Sequence, residues 1–266
     1  MHATCPAPAK RYTNRPWLPN ITMDEGGSSM PFNEPGAHGV VISCQAPEMS
    51  PLRDSHVMAR LALAAQKAGA IGIRAEGGAD IAAIRAVCSL PVIGIRKHWY
   101  AGSDVYITPT KADVDTVADA GAELVALDAT PRPRPGGETL AEVVAHAKRR
   151  GLKVMADLSG SEEAKGAVDA GVDYLGTTLV PASAEDVRPG GPNIAVIRRL
   201  AEANWGLPVI AEGRFATPGD IVAAFGAGAA VVVVGRAVTD AYALAGDLVR
   251  AANEFRESLV GTRRLV

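Results

Sequence analysis

Short apolar runs recur from Val40 to Arg236, separated by stretches long enough for a helix. They read "VVISCQ" (40–45), "AIGIRA" (70–75), "LPVIGIRK" (90–97), "ELVALDAT" (123–130), "KVMADLS" (153–159), "DYLGTTL" (173–179), "LPVIAEGR" (207–214) and "AAVVVVGR" (229–236). Near-continuous hydrophobicity over so few residues predicts strands covered on both faces. The intervening segments carry helical spacing. "VMARLALAAQKAG" sets Met58, Leu61, Ala62 and Ala65 on one face and stops at Gly69. "TKADVDTVADAG" opens on Thr110, a capping residue, carries Asp in its first turn and stops at Gly121. "SEEAKGAVDAG" and "TPGDIVAAFGAG" repeat the logic, and Ala-Gly recurs at the joints ending in Gly69, Gly121, Gly171 and Gly228.

Buried strands alternating with helices predict a parallel sheet with helices outside. Eight such units predict a single α/β domain over residues 39–260, a closed, parallel, eight-stranded (β/α)8 TIM barrel. The rival is a doubly wound open sheet. Its Gly-rich turn after the first strand is missing, since "SCQAPEMS" stands there instead. Residues 1–38 are rich in Pro, Gly, Ser and Asn, show no periodicity and lack the apolar centre of a secretory signal. They are expected to form a flexible extension, with Trp17 and Leu18 as possible surface anchors, and residues 261–266 to form a short tail.

Composition narrows the function classes. The chain has 28 glycines, 48% hydrophobic residues and only 5% aromatic ones, which suits close helix–strand packing. A formal charge of −2 leaves no basic footprint for nucleic acid. The absence of a run of eighteen apolar residues predicts no membrane span. Cys5, Cys44 and Cys88 are too few and too scattered for a disulfide framework or a zinc site, and they suit the reducing cytoplasm.

In a (β/α)8 barrel, chemistry sits at the carboxyl ends of the strands. The polar residues there are Gln45, Arg74, Lys97, Asp128, Asp157, Thr177-Thr178, Glu212 and Arg236. Alternation puts Ile93, Ile95 and Lys97 on one face of the third strand and Gly94 and Arg96 on the other. Ile210 pairs with Glu212 in the seventh strand, and Met155 with Asp157 in the fifth. Parity alone does not say which face is interior. The third and seventh strands stand opposite each other in a ring of eight, so Lys97 and Glu212 are expected to face one another across the mouth. A base on one face of a carbon and an acid on the other is what inversion of a C–H centre requires. A lysine serves as base near neutral pH only if its pKa falls, and Arg74 is a suitable like-charge neighbour. The plainer alternative is a Lys97–Glu212 ion pair closing the barrel top. The turns after the last two strands, with Gly213 and Arg214 before Thr217-Pro218 and with Gly235 and Arg236, suit a phosphate held by backbone N–H groups.

The motifs "VISCQA", "AIGIRAEGGADI", "LPVIGIRK", "YITPT", "ALDATPRPRPGGETL", "MADLS", "GTTL", "LPVIAEGRFATP" and "GAGAAVVVVG" occur in that order from about Val41 to about Phe255. Together the stretch resembles the N-acetylmannosamine-6-phosphate 2-epimerase family. The resemblance implies a (β/α)8 barrel that interconverts N-acetylmannosamine 6-phosphate and N-acetylglucosamine 6-phosphate, in amino-sugar and sialic acid catabolism. It implies a cofactor-independent isomerase with no metal, a sugar-phosphate substrate, no nucleic-acid or membrane partner, and a homodimer. The family's catalytic lysine falls on Lys97 and its carboxylate on Glu212. The active-site Gln, Arg and Asp fall on Gln45, Arg74 and Asp157, with Asp157 orienting Lys97 or a sugar hydroxyl. Asp128, Arg132, Arg134 and Thr177 join the expected substrate-binding set, the two arginines either reaching the substrate or only stiffening the fourth loop.

The chain departs from the family around the phosphate. The family reads "VVGGAITRP" after the eighth strand where this chain reads "VVGRAVTDA", so Arg236 replaces a glycine and Asp240 an arginine. An anion site that exchanges Arg for Asp is weakened unless Arg236 compensates. "TTLVPAS" also lacks the tyrosine of the family's "TTLSGYT". Two other readings therefore stay open: an epimerase or isomerase of a related or unphosphorylated sugar, and a non-catalytic sugar-phosphate-binding regulator. Cys44 is expected to be a buried small hydrophobe, and His56 and His98 to be surface residues.

Overall fold

The computed structural model describes residue 32, residues 38–181 and residues 190–262. Its strands are β1 (Gly39–Cys44), β2 (Gly72–Glu76), β3 (Val92–Ile95), β4 (Leu124–Asp128), β5 (Lys153–Asp157), β6 (Tyr174–Gly176), β7 (Val209–Glu212) and β8 (Val231–Val234). The helices are α1 (Ser55–Lys67), α2 (Gly78–Arg85), α3 (Lys111–Asp119), α4 (Leu140–Arg149), α5 (Ala164–Asp169), α6 (Ile194–Glu202), α7 (Pro218–Gly226), α8 (Arg236–Thr239) and α9 (Ala241–Thr262). All eight expected runs supply a strand. The strands close in chain order into a parallel barrel, β8 pairing with β1, which excludes the open sheet.

Local chemistry sets the helix starts. Thr110, Thr139 and Thr217 each cap a helix through a reciprocal box with Asp113, Glu142 and Asp220. The joint at Gly228 shows why glycine ends these units. Its φ is +97°, and a Cβ there would stand 2.5 Å from that of Ala201.

Register decides which face is interior. Val41, Ile93, Ile95, Leu124, Met155, Tyr174, Ile210 and Val231 fill the barrel. Their neighbours Val92, Val125, Val154, Leu175, Val209 and Val232 pack under the helices with Met58, Ile84, Val117 and Val143. Gly94 belongs to that outer layer: a Cβ there would strike Val117 at 2.4 Å.

Two features differ from expectation. Phe32, within the stretch expected to be a loose extension, is 1% exposed and inserts beneath the barrel. Its ring meets Tyr174 edge-on at 6.2 Å, and Gly72 leaves room for it. His38, at its end, packs its ring against Phe225; the remainder of that extension, Trp17 and Leu18 included, lies outside the described residues, as do residues 263–266. The second difference is α9. Every described side chain from Ala241 to Glu257 is exposed except that of Ala243, so this helix does not cover the barrel. Between β1, β8 and α7 an apolar groove of about 450 Å³ remains, lined by Val40, Ile42, Ile221, Phe225 and Val234. No helix among the described residues is long and apolar enough to cross a membrane.

Candidate active site

A cavity of about 530 Å³ opens at the carboxyl ends of the strands. Because Ile93 and Ile95 point inward, Lys97 two residues on does as well. The same alternation turns Arg74, Asp157 and Glu212 into the barrel. Arg96, of opposite parity, leaves it and pairs with Asp113 at 3.0 Å.

Lys97 and Glu212 line the cavity together with Ser43 and Gln45. Beneath it lies the Arg74 guanidinium, 1% exposed. Arg74 Nη2 stands 2.7 Å from Asp157 Oδ2 and Nη1 3.3 Å from Oδ1. Nη1 also pairs with Glu212 Oε2 and donates to Thr178 Oγ1 at 3.2 Å. The Thr178 hydroxyl lies 2.6 Å from Asp157 Oδ1 and 3.1 Å from Glu212 Oε2. Gly176, one inward step below, makes room for this cluster, since a Cβ there would meet Met155 at 2.3 Å and Asp157 at 3.3 Å.

The alternative of a Lys97–Glu212 ion pair is not realised: Glu212 is taken by Arg74. Among the described residues no carboxylate lies within ion-pair distance of the Lys97 ammonium. Lys97 reaches solvent through the cavity, yet its pKa falls below the ordinary lysine value, by partial burial first and the Arg74 charge second, with Glu76 and Glu212 pulling back. Glu212 moves the other way. Burial first, then Asp157, push its carboxyl up to about 7, against the opposing pull of Arg74, Thr178 and Lys97. For Arg74, burial alone would lower the pKa, but Asp157 and Glu212 outweigh it and the group stays charged.

Other expected residues divide. Gln45 donates to Ser43 Oγ at 2.8 Å at the cavity edge. Gly235 and Arg236 line the cavity, and Arg236 stands 3.9 Å from Asp240. Asp240 caps α9, accepting the Ala243 N–H at 3.0 Å. Thr177 has the outward parity, and its hydroxyl bonds both the backbone O of Glu212 at 2.8 Å and the backbone N at 2.9 Å, holding the end of β7 in place. Arg214, expected at the phosphate, turns away at φ +62°. It donates to the carbonyls of Gly191, Val180 and Pro181 at 2.8, 3.0 and 3.1 Å. Gly213 beside it has φ +112° and is not on the cavity wall.

Asp128, Arg132 and Arg134 form a loop clamp outside the cavity lining. Asp128 accepts from Thr130 and lies 2.5 Å from Arg132 Nη2. Buried Arg134 donates to the carbonyls of Pro109 and Asp128. Of the two roles open to these arginines, stiffening the loop is the one their hydrogen bonds serve.

Glu76, Arg53, Trp99 and Tyr106 stand at the site without having been singled out, and Thr178, noted at the end of the sixth strand, was given no role there. For Thr178 the signal was present: Tyr174, Gly176 and Thr178 share a parity. Trp99 likewise continues the parity of Lys97. Cys44 is fully buried, and burial first, then Cys88 and Asp80, push its thiol up to about 12, so it is inert. His56 is exposed, whereas His98 is half-buried, with Nδ1 3.2 Å from Asp113. Among the described residues no group of three or more His, Cys, Asp or Glu side chains is arranged to hold a metal ion.

The family model described as "Putative N-acetylmannosamine-6-phosphate epimerase" matches residues 58–254. The chain belongs to this family. A relative from Clostridioides difficile, named as an epimerase of that kind, is 45% identical over 200 residues, 75% of this chain and 89% of its own length. One from Caldanaerobacter subterraneus is 45% identical over 204 residues, covering 76% and 86%. Among solved structures, the N-acetylmannosamine-6-phosphate 2-epimerase of Clostridium perfringens is similar at a TM-score of 0.78 and 35% identity, over 86% of this chain and 99% of that one. The family match and the barrel agree with the motif order of the sequence.

Proposed function

We propose that the chain catalyses C2 epimerisation of N-acetylmannosamine 6-phosphate to N-acetylglucosamine 6-phosphate, a step of amino-sugar and sialic acid catabolism. The observation that carries this reading is the pairing of Lys97 and Glu212 in one cavity, with no ion pair between them and their pKa values displaced toward neutrality from opposite sides. The names of the family and of its relatives support the choice of sugar.

With the sugar open at C1, the neutral Lys97 amine takes the proton from C2. The C2–H electron pair moves into the C1–C2 bond and the carbonyl oxygen becomes an enolate. Protonated Glu212 then delivers a proton to the opposite face, and the two groups re-equilibrate with water through the open mouth. In the reverse direction the roles exchange. Arg74 acts through Glu212: it holds the carboxylate against Asp157 and Thr178 and stabilises the anion left after delivery. Gln45 at the cavity edge suits the developing enolate oxygen or the polar amide of the acetamido group, and Gly235 with Arg236 suits the phosphate.

Incubation of the pure protein with N-acetylmannosamine 6-phosphate in heavy water tests the reading. Deuterium at C2 of the product supports it. Turnover of the unphosphorylated sugar alone would reject the phosphate, and no turnover of either would favour the non-catalytic regulator.

We also infer a homodimer. Each copy carries an apolar groove between β1, β8 and α7 that no described residue fills, and α9 exposes Tyr242, Leu248 and Val249 among the described residues. A two-fold exchange that lays α9 of each copy into the groove of the other covers both. Light scattering at micromolar concentration then reports twice the chain mass, and deletion of 241–266 gives a monomer. We infer a cytoplasmic setting as well, with which the free thiols of Cys44 and Cys88 are compatible.

A further inference from the structure

The loop after β3 folds back on itself. Lys97 bridges Ile107 in antiparallel fashion, and the His98 N–H donates to the Tyr106 carbonyl at 2.9 Å. This pins two opposed sets of side chains. His98 and Tyr100 face outward to Asp113, each 3.2 Å from one of its oxygens. Lys97, Trp99 and Tyr106 face the cavity. There Trp99 stacks on Tyr106 with ring centroids 5.4 Å apart and planes 5° from parallel. Tyr106 packs on the barrel interior, whereas Trp99 is 68% exposed. A large indole fixed by stacking on one face and bare on the other, at the rim of a polar cavity, is a ready surface for an apolar part of a ligand.

The position of the wall selects that part. Trp99 lies two residues beyond Lys97 on the same side of the chain, roughly 6–7 Å along it. Gly235 and Arg236, which suit the phosphate, come from β8 on the other flank of the cavity. A sugar held with C2 at Lys97 and phosphate at Arg236 turns its C2 substituent toward Trp99. We propose that Trp99, backed by Tyr106, binds the N-acyl group and determines acyl specificity, accepting acyl chains longer than acetyl along its bare face. This rests on the epimerase reading of the same cavity.

The test compares N-acetyl- and N-butanoylmannosamine 6-phosphates with the wild type, Trp99→Ala and Trp99→Phe. The wild type is expected to turn over both. Trp99→Ala should raise KM roughly three- to tenfold, more for the butanoyl compound, with kcat and melting temperature little changed. Trp99→Phe should recover most of the loss. Binding of N-acetylglucosamine 6-phosphate should also change the tryptophan emission of the wild type but not that of Trp99→Phe. Unchanged KM values in Trp99→Ala, or wild-type rejection of the butanoyl compound with acetyl turnover intact, would overturn the acyl role and leave the epimerase reading standing. Failure of the wild type on both compounds would overturn the reading and this inference with it.

Discussion

Asp157 holds both arms of the Arg74 guanidinium, Oδ2 at 2.7 Å from Nη2 and Oδ1 at 3.3 Å from Nη1, while Nη1 also reaches Glu212. One cation thus joins β2, β5 and β7 beneath the cavity, and both it and Asp157 are shut off from water. Arg74→Ala would leave buried Asp157 without its counter-charge and remove the cation paired with cavity-lining Glu212. The expected cost is about 3–5 kcal/mol of stability together with most of the activity. Denaturant melts check the first. An Arg74→Ala protein as stable as wild type would mean that the cluster is not closed as described.

Lys97 stands apart from this network. Lys97→Met removes the proposed base without breaking any ion pair, so the melting temperature should hold or rise. Turnover should fall by at least about a hundredfold. Retained turnover of N-acetylmannosamine 6-phosphate by this variant would take Lys97 out of the mechanism.

Thr178 touches both carboxylates, whereas Thr177 serves the backbone of β7. The Thr178 hydrogen bond lowers the Glu212 pKa, so Thr178→Val should raise it further and shift the corresponding limb of the pH–rate profile to higher pH. Loss of the partly buried hydroxyl should also cost about 1 kcal/mol. A pH–rate limb that stays in place would separate Thr178 from Glu212.

The Glu212 shift has a signature in stability. Its carboxyl titrates near 4.5 when unfolded and at about 7 when folded, so the native state holds this proton more tightly. The stabilisation is complete below the unfolded pKa and is lost as pH rises through the folded one. Melting curves of wild type and Glu212→Gln should therefore diverge in favour of the variant between pH 4.5 and about 7. A constant difference across that window would contradict the raised pKa.

At the phosphate end, Arg236 and Asp240 act in opposite senses. Arg236→Gln should raise KM for the phosphorylated sugar about tenfold and leave the unphosphorylated sugar unaffected. Asp240→Asn keeps an α9 cap and removes the negative charge, so KM should fall. Equal effects on both sugars would move the phosphate elsewhere.

Much of this was legible along the chain. Eight apolar runs, capping threonines and Ala-Gly joints specify strands, helices and their stops through contacts a few residues long. The alternation that links Lys97 to Ile93 and Ile95, or Glu212 to Ile210, is equally local. The sign of that alternation is not local. Only closure of β8 onto β1 made Ile93 interior, and with it Lys97, Arg74, Asp157 and Thr178, leaving Thr177 on the outer face. Side-chain partners were beyond reach for the same reason. Arg74 meets Glu212 from a strand 138 residues away, and long arginine stems such as Arg134 and Arg214 settle on whatever carbonyls the folded loops present. Phe32 found the barrel floor because Gly72 left a space there, and α9 stands off a groove it does not cover. By itself the sequence determined the barrel and the residue types at its mouth. The tertiary structure decided which of them share a cavity, because pairing across a closed ring depends on register and distance, which no short window of sequence contains.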